Sequence, residues 1–314
     1  MRTMERILVI KLSALGDIMQ AEGAMHDIRR HHPRAEITVL TTPAYRVLME
    51  RCPWVDRIFI DPRDSRFRLD RMFSLRQRLR AEYFDLVYDL QQVGRTDFYY
   101  RWFFQGTPWV GGAPGCSYYC RRPADRCAAD HFAICLKLAG VPVAHTLRCD
   151  VSWMADDVGD ILQRTGLDRC PYIVLIPGGS AEHPEKRWPY FGELAEGLLA
   201  QGLRLVTVPG PDEMELCRKI SCDMLLEADG RYLNIFRLAG VLKNAAFVVG
   251  NDTGPTHIAV HMQIPGLALF SDHIPAVFSG IQHGRFAWIE RARLAELSVA
   301  VVRQRVMSLL ENAR

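Results

Sequence analysis

The chain of 314 residues has 49% hydrophobic and 24% charged side chains, a composition typical of a globular protein with about two domains. Its formal charge of +3 is too small to indicate a nucleic acid partner, although it is compatible with an anionic surface or substrate. The four apolar residues before Lys11 are too few for a signal peptide, and no apolar run approaches the roughly 20 residues that a spanning helix needs. We therefore expect a cytoplasmic protein whose membrane contact, if any, is peripheral.

Short apolar runs alternate with helical stretches in the first half of the chain, a pattern that predicts a parallel β-sheet with crossover helices. Four such runs lie at residues 7–10, 37–40, 57–60 and 86–90. A second series follows, and it predicts a second α/β unit. Its apolar runs lie at residues 172–176, 203–208, 247–249 and 266–270. The sequence thus predicts an α/β fold built from two similar halves.

The two series are separated by residues 141–171, where proline and glycine residues interrupt the pattern and indicate an inter-domain connection. This gives predicted domains over residues 1–155 and 156–314. Apolar side chains at near-helical spacing predict a final amphipathic helix over residues 293–314. The sequence leaves the docking surface of this helix open, and the N-terminal domain is one candidate.

The first informative segment runs from Ile7 to Asp17 and predicts a buried strand, a short loop and the start of a helix. Open α/β sheets bind ligands at the carboxyl ends of their strands, and Gly16 permits a close backbone approach in this loop. The segment lacks the G-x-G-x-x-G pattern, which argues against an oxidoreductase. The helix dipole favours the ionised form of Asp17, a state suited to accepting a proton. The alternative is that Asp17 only caps the helix.

Seven arginines lie between Arg63 and Arg80, around a predicted helix that begins near Leu69. Such a run is typical of a solvated helix face. The alternative is contact with phosphorylated lipid headgroups or with an anionic membrane leaflet. The sequence leaves both interpretations open.

Nine cysteines occur without a C-x-x-C pair, which favours reduced thiols in a chain with no predicted export signal. Cys116, Cys120, Cys127 and Cys135 lie close together in sequence and could hold a metal, but their spacing matches no zinc motif. We therefore predict no metal site and no cofactor.

A second segment, residues 176–189, again follows a predicted buried strand and precedes a helix. Its Pro-Gly-Gly-Ser sequence exposes backbone N–H groups, and the hydroxyl of Ser180 is followed by the cations Lys186 and Arg187. This combination suits a diphosphate without a Gly-x-x-x-x-Gly-Lys loop. The alternative is a polar turn before a helix, with Trp188 as a packing anchor.

The third segment, Phe-Val-Val-Gly-Asn-Asp-Thr-Gly-Pro-Thr-His, predicts a buried strand that ends at Gly-Asn-Asp and a helix whose N-cap is Thr253. The backbone N–H groups of Gly254, Thr256 and His257 are expected to face an anion. Asp252 is expected to accept hydrogen bonds from sugar or ribose hydroxyls. The alternative for His257 is a partly buried side chain bonded to a neighbour.

The three segments occur together in the order and spacing of one family. Across nearly its whole length the chain resembles the bacterial ADP-heptose:lipopolysaccharide heptosyltransferases of glycosyltransferase family 9. The resemblance implies a GT-B fold of two facing Rossmann-like domains, with the acceptor on the N-terminal one, the donor on the C-terminal one and the reaction between them. It also implies transfer of a heptose from ADP-heptose to a lipopolysaccharide core or related glycolipid, with inversion and without a metal.

The resemblance also implies roles for individual residues. Asp17 would deprotonate the acceptor hydroxyl. The donor's diphosphate and sugar would be bound by Ser180, Lys186, Asp252, Thr253, Gly254 and His257. The segment from Tyr83 to Gln92 resembles the strand that leads into the acceptor cleft, so Gln91, Gln92 and Arg95 are expected to line that cleft.

Two departures from the family pattern concern the substrate. Phe-Ser-Asp-His at residues 270–273 stands where the family often has Gly-Pro-Thr, and Gly23 stands where a proline is common. These differences leave open the transfer of another nucleotide sugar or transfer to a protein acceptor. A non-catalytic nucleotide-sugar binding module is a further alternative, against which Asp17 in its expected loop argues.

Overall fold

The computed structural model describes residues 4–179, 184–271 and 275–312. The chain divides into two units, Met1–Trp153 and Met154–Arg314. Each unit contains a six-stranded sheet in which all neighbouring strands are parallel. The prediction of an α/β fold with two parallel sheets is therefore confirmed.

The first unit has the strand order β3-β2-β1-β4-β5-β6. Its strands are β1 (Arg6–Ile10), β2 (Glu36–Thr41), β3 (Arg57–Ile60), β4 (Leu86–Asp89), β5 (Trp109–Gly111) and β6 (Tyr118–Tyr119). Its helices are α1 (Leu15–His31), α2 (Arg46–Glu50), α3 (Leu69–Ala81), α4 (Gly94–Phe103) and α5 (Ala128–Leu138).

The second unit has the strand order β12-β11-β10-β7-β8-β9. Its strands are β7 (Tyr172–Ile176), β8 (Arg204–Thr207), β9 (Asp223–Met224), β10 (Phe247–Asn251), β11 (Gly266–Ser271) and β12 (Phe286–Arg291). Its helices are α6 (Gly159–Thr165), α7 (Phe191–Leu199), α8 (Met214–Arg218), α9 (Ile235–Lys243), α10 (Gly254–His261) and α11 (Val299–Asn312).

Both sheets have the same topology. When the strands of each unit are counted from its own first strand, both sheets have the order 3-2-1-4-5-6, which is the Rossmann order. The chain direction across the sheet reverses between the first and fourth strands, which are β1 and β4 in one unit and β7 and β10 in the other. Ligands of open α/β sheets bind at the carboxyl ends of these two strands. The Asp17 loop and the Asp252 loop both begin at such an end.

The central strands are continuous apolar runs because helices cover both faces of a parallel sheet. Ile7, Leu8, Val9 and Ile10 of β1 are completely buried, and every residue of β7 is buried. The polar loops of the candidate sites follow directly after these buried strands.

The final helix, α11, packs within the second unit. Val302 and Val306 are fully buried in a core that includes Phe191 and Leu194 of α7. This contact supplies the docking surface that the sequence left open. Among the helices that the structure describes, none has both the length and the apolar character needed to cross a bilayer.

Gly23 in α1 is required by a close backbone approach. A Cβ atom at this position would lie 2.2 Å from the carbonyl oxygen of His145. One turn later, Asp27 accepts hydrogen bonds from the N–H groups of His145 and Thr146 at 3.0 and 2.9 Å. Any side chain at position 23, that of proline included, would displace this segment.

Candidate functional sites at the strand ends

In the first unit, Gln91 holds the loop between β1 and α1. Its side-chain oxygen accepts hydrogen bonds from the N–H groups of Leu12 and Ser13 at 2.8 and 3.1 Å. The hydroxyl of Thr42 donates to the carbonyl of Leu12 at 3.1 Å. Gln91 was predicted to bind an acceptor, and the structure commits its side-chain oxygen to positioning this loop.

Asp17 lies in the first turn of α1, and its side chain is partly exposed. Its Oδ2 accepts a hydrogen bond from the N–H of Ala14 at 3.2 Å, so Asp17 does cap the helix. A carboxylate has about four lone-pair positions, so one such bond leaves it able to accept a proton from a ligand. The capping role and the catalytic role are therefore compatible.

Two buried ionisable groups stand beside this loop. Lys11 is 3% exposed and its Nζ donates to the carbonyl of Leu90 at 3.3 Å. Burial lowers the pKa of Lys11, and the negative charge of Asp17 opposes that shift. Burial raises the pKa of Asp89, at the end of β4, to about 6, although the N–H groups of Gln92 and Gln91 donate to it. The sequence signal for both was a charged residue at or just beyond the end of an apolar strand.

Gln92 and Arg95, also predicted to bind the acceptor, belong to two other networks. Gln92 has a left-handed backbone (φ 47°), and its Oε1 lies 3.0 Å from Nε2 of His131. The Arg95 guanidinium makes two hydrogen bonds, of 2.9 and 2.7 Å, to the completely buried carboxylate of Asp61. Removing one member of a buried ion pair leaves the other charge uncompensated. Arg95 therefore stabilises the fold whatever else it binds.

In the second unit, Lys186, Asp252 and His257 form one charged network. Lys186 Nζ lies 2.9 Å from Asp252 Oδ2, and His257 Nε2 lies 3.0 Å from Asp252 Oδ1. Burial would raise the pKa of Asp252, but His257 and Lys186 outweigh that effect and lower the pKa to about 2. Three predicted donor-binding residues are thus brought together, with Asp252 held as an anion.

The N-terminus of α10 presents backbone donors next to this network. Thr253 is the N-cap, as the sequence predicts, with an extended backbone. The first intrahelical bond runs from the N–H of His257 to the carbonyl of Thr253, at 3.1 Å. The N–H groups of Gly254 and Thr256 precede that bond and can bind an anion. The prediction that the His257 N–H also faces an anion is wrong, because the helix itself uses it.

Asn251, which the sequence analysis did not single out, joins the loops of the second unit. Its Oδ1 accepts a hydrogen bond from the N–H of Trp188 at 3.1 Å, and its Nδ2 donates to the carbonyls of Pro177 and Gly178 at 2.9 and 3.1 Å. It is completely buried. The available signal was an amide residue at the last position of a buried strand. Ser180, the remaining predicted donor-binding residue, lies outside the described residues.

Gly178 connects this region to the loop after β8. A Cβ atom on Gly178 would lie 1.7 Å from Oε1 of Glu213, so glycine is required there unless Glu213 moves. Glu213 Oε2 in turn accepts a hydrogen bond from the N–H of Gly210 at 2.9 Å. The loop after β7 therefore contacts both the loop after β8, through Glu213, and the end of β10, through Asn251.

Comparison with known proteins identifies this architecture. Residues 146–295 match the model of glycosyltransferase family 9 (heptosyltransferase). The chain is 24% identical over 288 residues to lipooligosaccharide heptosyltransferase 2 of Haemophilus ducreyi, an alignment that covers 83% of this chain and 81% of the relative. It is 27% identical over 302 residues to lipopolysaccharide heptosyltransferase 1 of Pseudomonas aeruginosa, with 88% and 81% covered. The fold matches that of Escherichia coli heptosyltransferase WaaC with ADP, with a TM-score of 0.72, 18% identity and coverage of 97% and 99%.

Proposed function

We propose that the chain is a member of glycosyltransferase family 9 and that it transfers a heptose from ADP-heptose to a lipopolysaccharide core or a related glycolipid. The observation that carries this proposal is the Lys186–Asp252–His257 network beside the N-terminus of α10. It combines a cation and free amides, which suit a diphosphate, with a locked carboxylate, which suits sugar hydroxyls.

The second unit would bind the donor and stabilise its leaving group. As the glycosidic bond breaks, negative charge develops on the departing diphosphate. Lys186 and the N–H groups of Gly254 and Thr256 would stabilise that charge. Each such donor is worth roughly 2.7–4 kcal/mol, by analogy with single oxyanion-hole donors. We assign donor binding to Ser180, Lys186, Asp252, Thr253, Gly254 and His257.

Asp17 of the first unit would act as the general base. It would take the proton from the acceptor hydroxyl as that oxygen attacks the anomeric carbon, opposite the departing ADP. A single displacement of this kind inverts the configuration at that carbon. The protein's own cations and amides would neutralise the diphosphate, so we propose that the transfer needs no metal. Gln91, Gln92 and Arg95 are the proposed acceptor-side residues.

Calorimetry with ADP-, UDP- and GDP-sugars tests the donor class, and ADP release on addition of a glycolipid acceptor tests turnover. We expect ADP-heptose to bind and to be consumed, with an inverted anomeric configuration in the product. Adding Mg²⁺ or Mn²⁺ to buffer depleted of both should leave the rate unchanged. Tight binding of another nucleotide sugar, or transfer to a protein acceptor, would favour the alternatives within the same chemistry. Binding without turnover would favour a non-catalytic binding module.

We further propose that the protein works at the cytoplasmic face of the inner membrane. Near α3, the side chains of Phe67, Leu69 and Phe73 are 92%, 75% and 56% exposed. They lie within the arginine run, and apolar side chains beside cations favour contact with anionic lipid. Replacing Arg76, Arg78 and Arg80 together should reduce flotation with anionic vesicles. Flotation with neutral vesicles, which we expect to be weak, should stay the same. Unchanged flotation would assign these arginines to a solvated face.

A further inference from the structure

A cluster of sulfur and imidazole groups lies in the first unit. Cys120 directly follows β6, while His131 and Cys135 lie one turn apart on α5. One donor atom from each of these three residues lies within 4.8 Å of the other two. His131 and Cys135 are 1% and 2% exposed, and Cys120 is partly buried.

The spacing of these donor atoms is close to, but in part wider than, the spacing of ligands around a small cation. In tetrahedral zinc sites the Zn–S and Zn–N bonds are about 2.3 Å and 2.0–2.1 Å, which places neighbouring ligand atoms roughly 3.5–3.8 Å apart. Cys135 Sγ lies 3.2 Å from His131 Nε2, and Cys120 Sγ lies 4.0 Å from His131 Nδ1. The two distances are to different ring nitrogens, and one zinc ion can bond only one of them. With Nε2 as the ligand, the Cys120 thiolate would have to move closer to that nitrogen to reach zinc spacing, from within the 4.8 Å that spans the three donor atoms.

Gln92 brings an oxygen to the same place. Its left-handed backbone conformation is uncommon for a residue with a side chain, and it marks a position that its surroundings hold. Gln92 Oε1 lies 3.0 Å from His131 Nε2, and Gln92 Nε2 lies 3.4 Å from Cys135 Sγ. Without an ion, a proton on His131 Nε2 can satisfy Gln92 Oε1 and the carbonyl of Cys120, which is 3.1 Å away. A metal would replace that proton.

We propose that Cys120, His131 and Cys135 bind one Zn²⁺, with Gln92 Oε1 as the oxygen ligand. Two thiolates and an imidazole are a donor set that favours zinc over magnesium or calcium. The ion would join the end of β6 to α5 and to the loop after β4. It would fix the position of Gln92, one of the proposed acceptor-side residues, without itself taking part in the transfer.

This proposal departs from the expectation drawn from cysteine spacing alone. That expectation grouped Cys120 and Cys135 with Cys116 and Cys127, whose sulfurs bond elsewhere. Cys116 Sγ lies 3.4 Å from the carbonyl of Gly111, and Cys127 Sγ lies 3.5 Å from Gln20 Oε1. In the folded chain, the third donor beside Cys120 and Cys135 is His131 and not another cysteine. His131 shares a helix face with Cys135 because the two are four residues apart.

Zinc content and zinc affinity test the proposal on the full chain under reducing conditions. Elemental analysis of the purified protein should find about one zinc per chain, the stoichiometry of a single mononuclear site. In competition with a chromophoric chelator, Cys120→Ser and Cys135→Ser should each lose zinc. Gln92→Ala should weaken binding by more than the about 10–100-fold that loss of a group supporting a ligand costs in other zinc sites, because Gln92 is proposed as a ligand itself. Cys116→Ser is the matched control and should retain wild-type affinity.

Cobalt substitution in the wild-type protein keeps the test decisive if a variant fails to fold. Thiolate-to-cobalt charge transfer and tetrahedral ligand-field bands are expected. Absence of these bands, or equal zinc affinity in wild type and Cys120→Ser, would overturn the proposal. A Cys120–Cys135 disulfide in the purified protein, found by peptide mass spectrometry in place of bound metal, would also overturn it.

Discussion

Asp89 ends β4 in the first unit and Asp252 follows β10 in the second, so the two carboxyl groups stand at equivalent edges of two sheets with the same topology. Asp89 is buried with backbone donors on one oxygen, and its pKa is raised to about 6. Asp252 has His257 and Lys186 as partners, and these offset its burial and lower its pKa to about 2. Carboxyl groups at equivalent sheet edges therefore do not share a pKa, because the groups around each carboxyl set its value.

The same contrast appears in how the loop after each first strand is held. In the first unit, the oxygen of Gln91 occupies the N–H groups of Leu12 and Ser13. In the second, the amide nitrogen of Asn251 occupies the carbonyls of Pro177 and Gly178. Because C=O and N–H of a trans peptide point in opposite directions, the N–H groups of the two residues after Pro177 point away from Asn251. The N–H groups of Gly178 and Gly179 are thus free to face an anion, whereas those of Leu12 and Ser13 are used by Gln91.

The largest effect is expected from the first unit's carboxylate. Asp17→Asn keeps an oxygen that can accept the Ala14 N–H but removes the base, so we expect the rate of ADP release to fall by about 10²–10⁴ while donor affinity by calorimetry stays near wild type. Asp17→Ala should abolish transfer in the same way and also cost about 0.5–2 kcal/mol of stability through the lost cap. Asp70→Asn, in the first turn of α3, is the matched control. Wild-type turnover in Asp17→Asn would leave Asp17 with its capping role alone.

The next effect belongs to the cation of the second unit. Lys186→Met should lower the turnover number by about 10²–10³, the loss found on removing a single donor to a developing oxyanion. Lys243→Met, at the exposed end of α9, should behave as wild type. Single-turnover kinetics with saturating donor measures the chemical step directly. If Lys186→Met changed donor affinity without changing that step, Lys186 would bind the ground state and transition state equally.

The sequence predicts the fold well because apolar runs report directly on buried parallel strands, as in β1 and β7. It also places Asp17, Lys186, Asp252 and His257 at the carboxyl ends of β1, β7 and β10, because each lies in the loop after an apolar run or in the first turn of the helix that follows. It misses Asn251 and the structural role of Gln91. Their partners are the backbone groups of residues 12–13, 177–178 and 188, far away in the chain, and no local pattern encodes such pairings. The pairing of Arg95 with buried Asp61 is missed for the same reason.

Asp89 makes the electrostatic contrast testable by pH. Its pKa in the folded state, about 6, is above the ordinary value of 3.8, so the folded protein binds the proton more tightly than the unfolded chain does. The contribution of Asp89 to the free energy of unfolding therefore falls as the pH rises from about 4 to 6. Above that range, the ionised carboxylate lowers the free energy of unfolding by about 3 kcal/mol. Asp89→Asn carries no charge, so its stability relative to wild type should rise by that amount between pH 4 and pH 7 in urea unfolding. If the difference in unfolding free energy between Asp89→Asn and wild type did not change with pH, Asp89 would not be buried as an unpaired charge.

Asp252 should show the opposite dependence at lower pH and with a smaller amplitude. Its pKa is lowered from 3.8 to about 2, so its ionised form stabilises the fold above pH 4, and that contribution is lost as the pH falls toward 2. The loss amounts to about 2 kcal/mol in wild type and should be absent from Asp252→Asn, measured as the difference in unfolding free energy between pH 4.5 and pH 2.5. Lys186→Met should show a reduced loss, because His257 would then be the remaining partner. Identical acid dependence in wild type and Asp252→Asn would break the contrast, since it would mean that the network does not hold this carboxylate ionised.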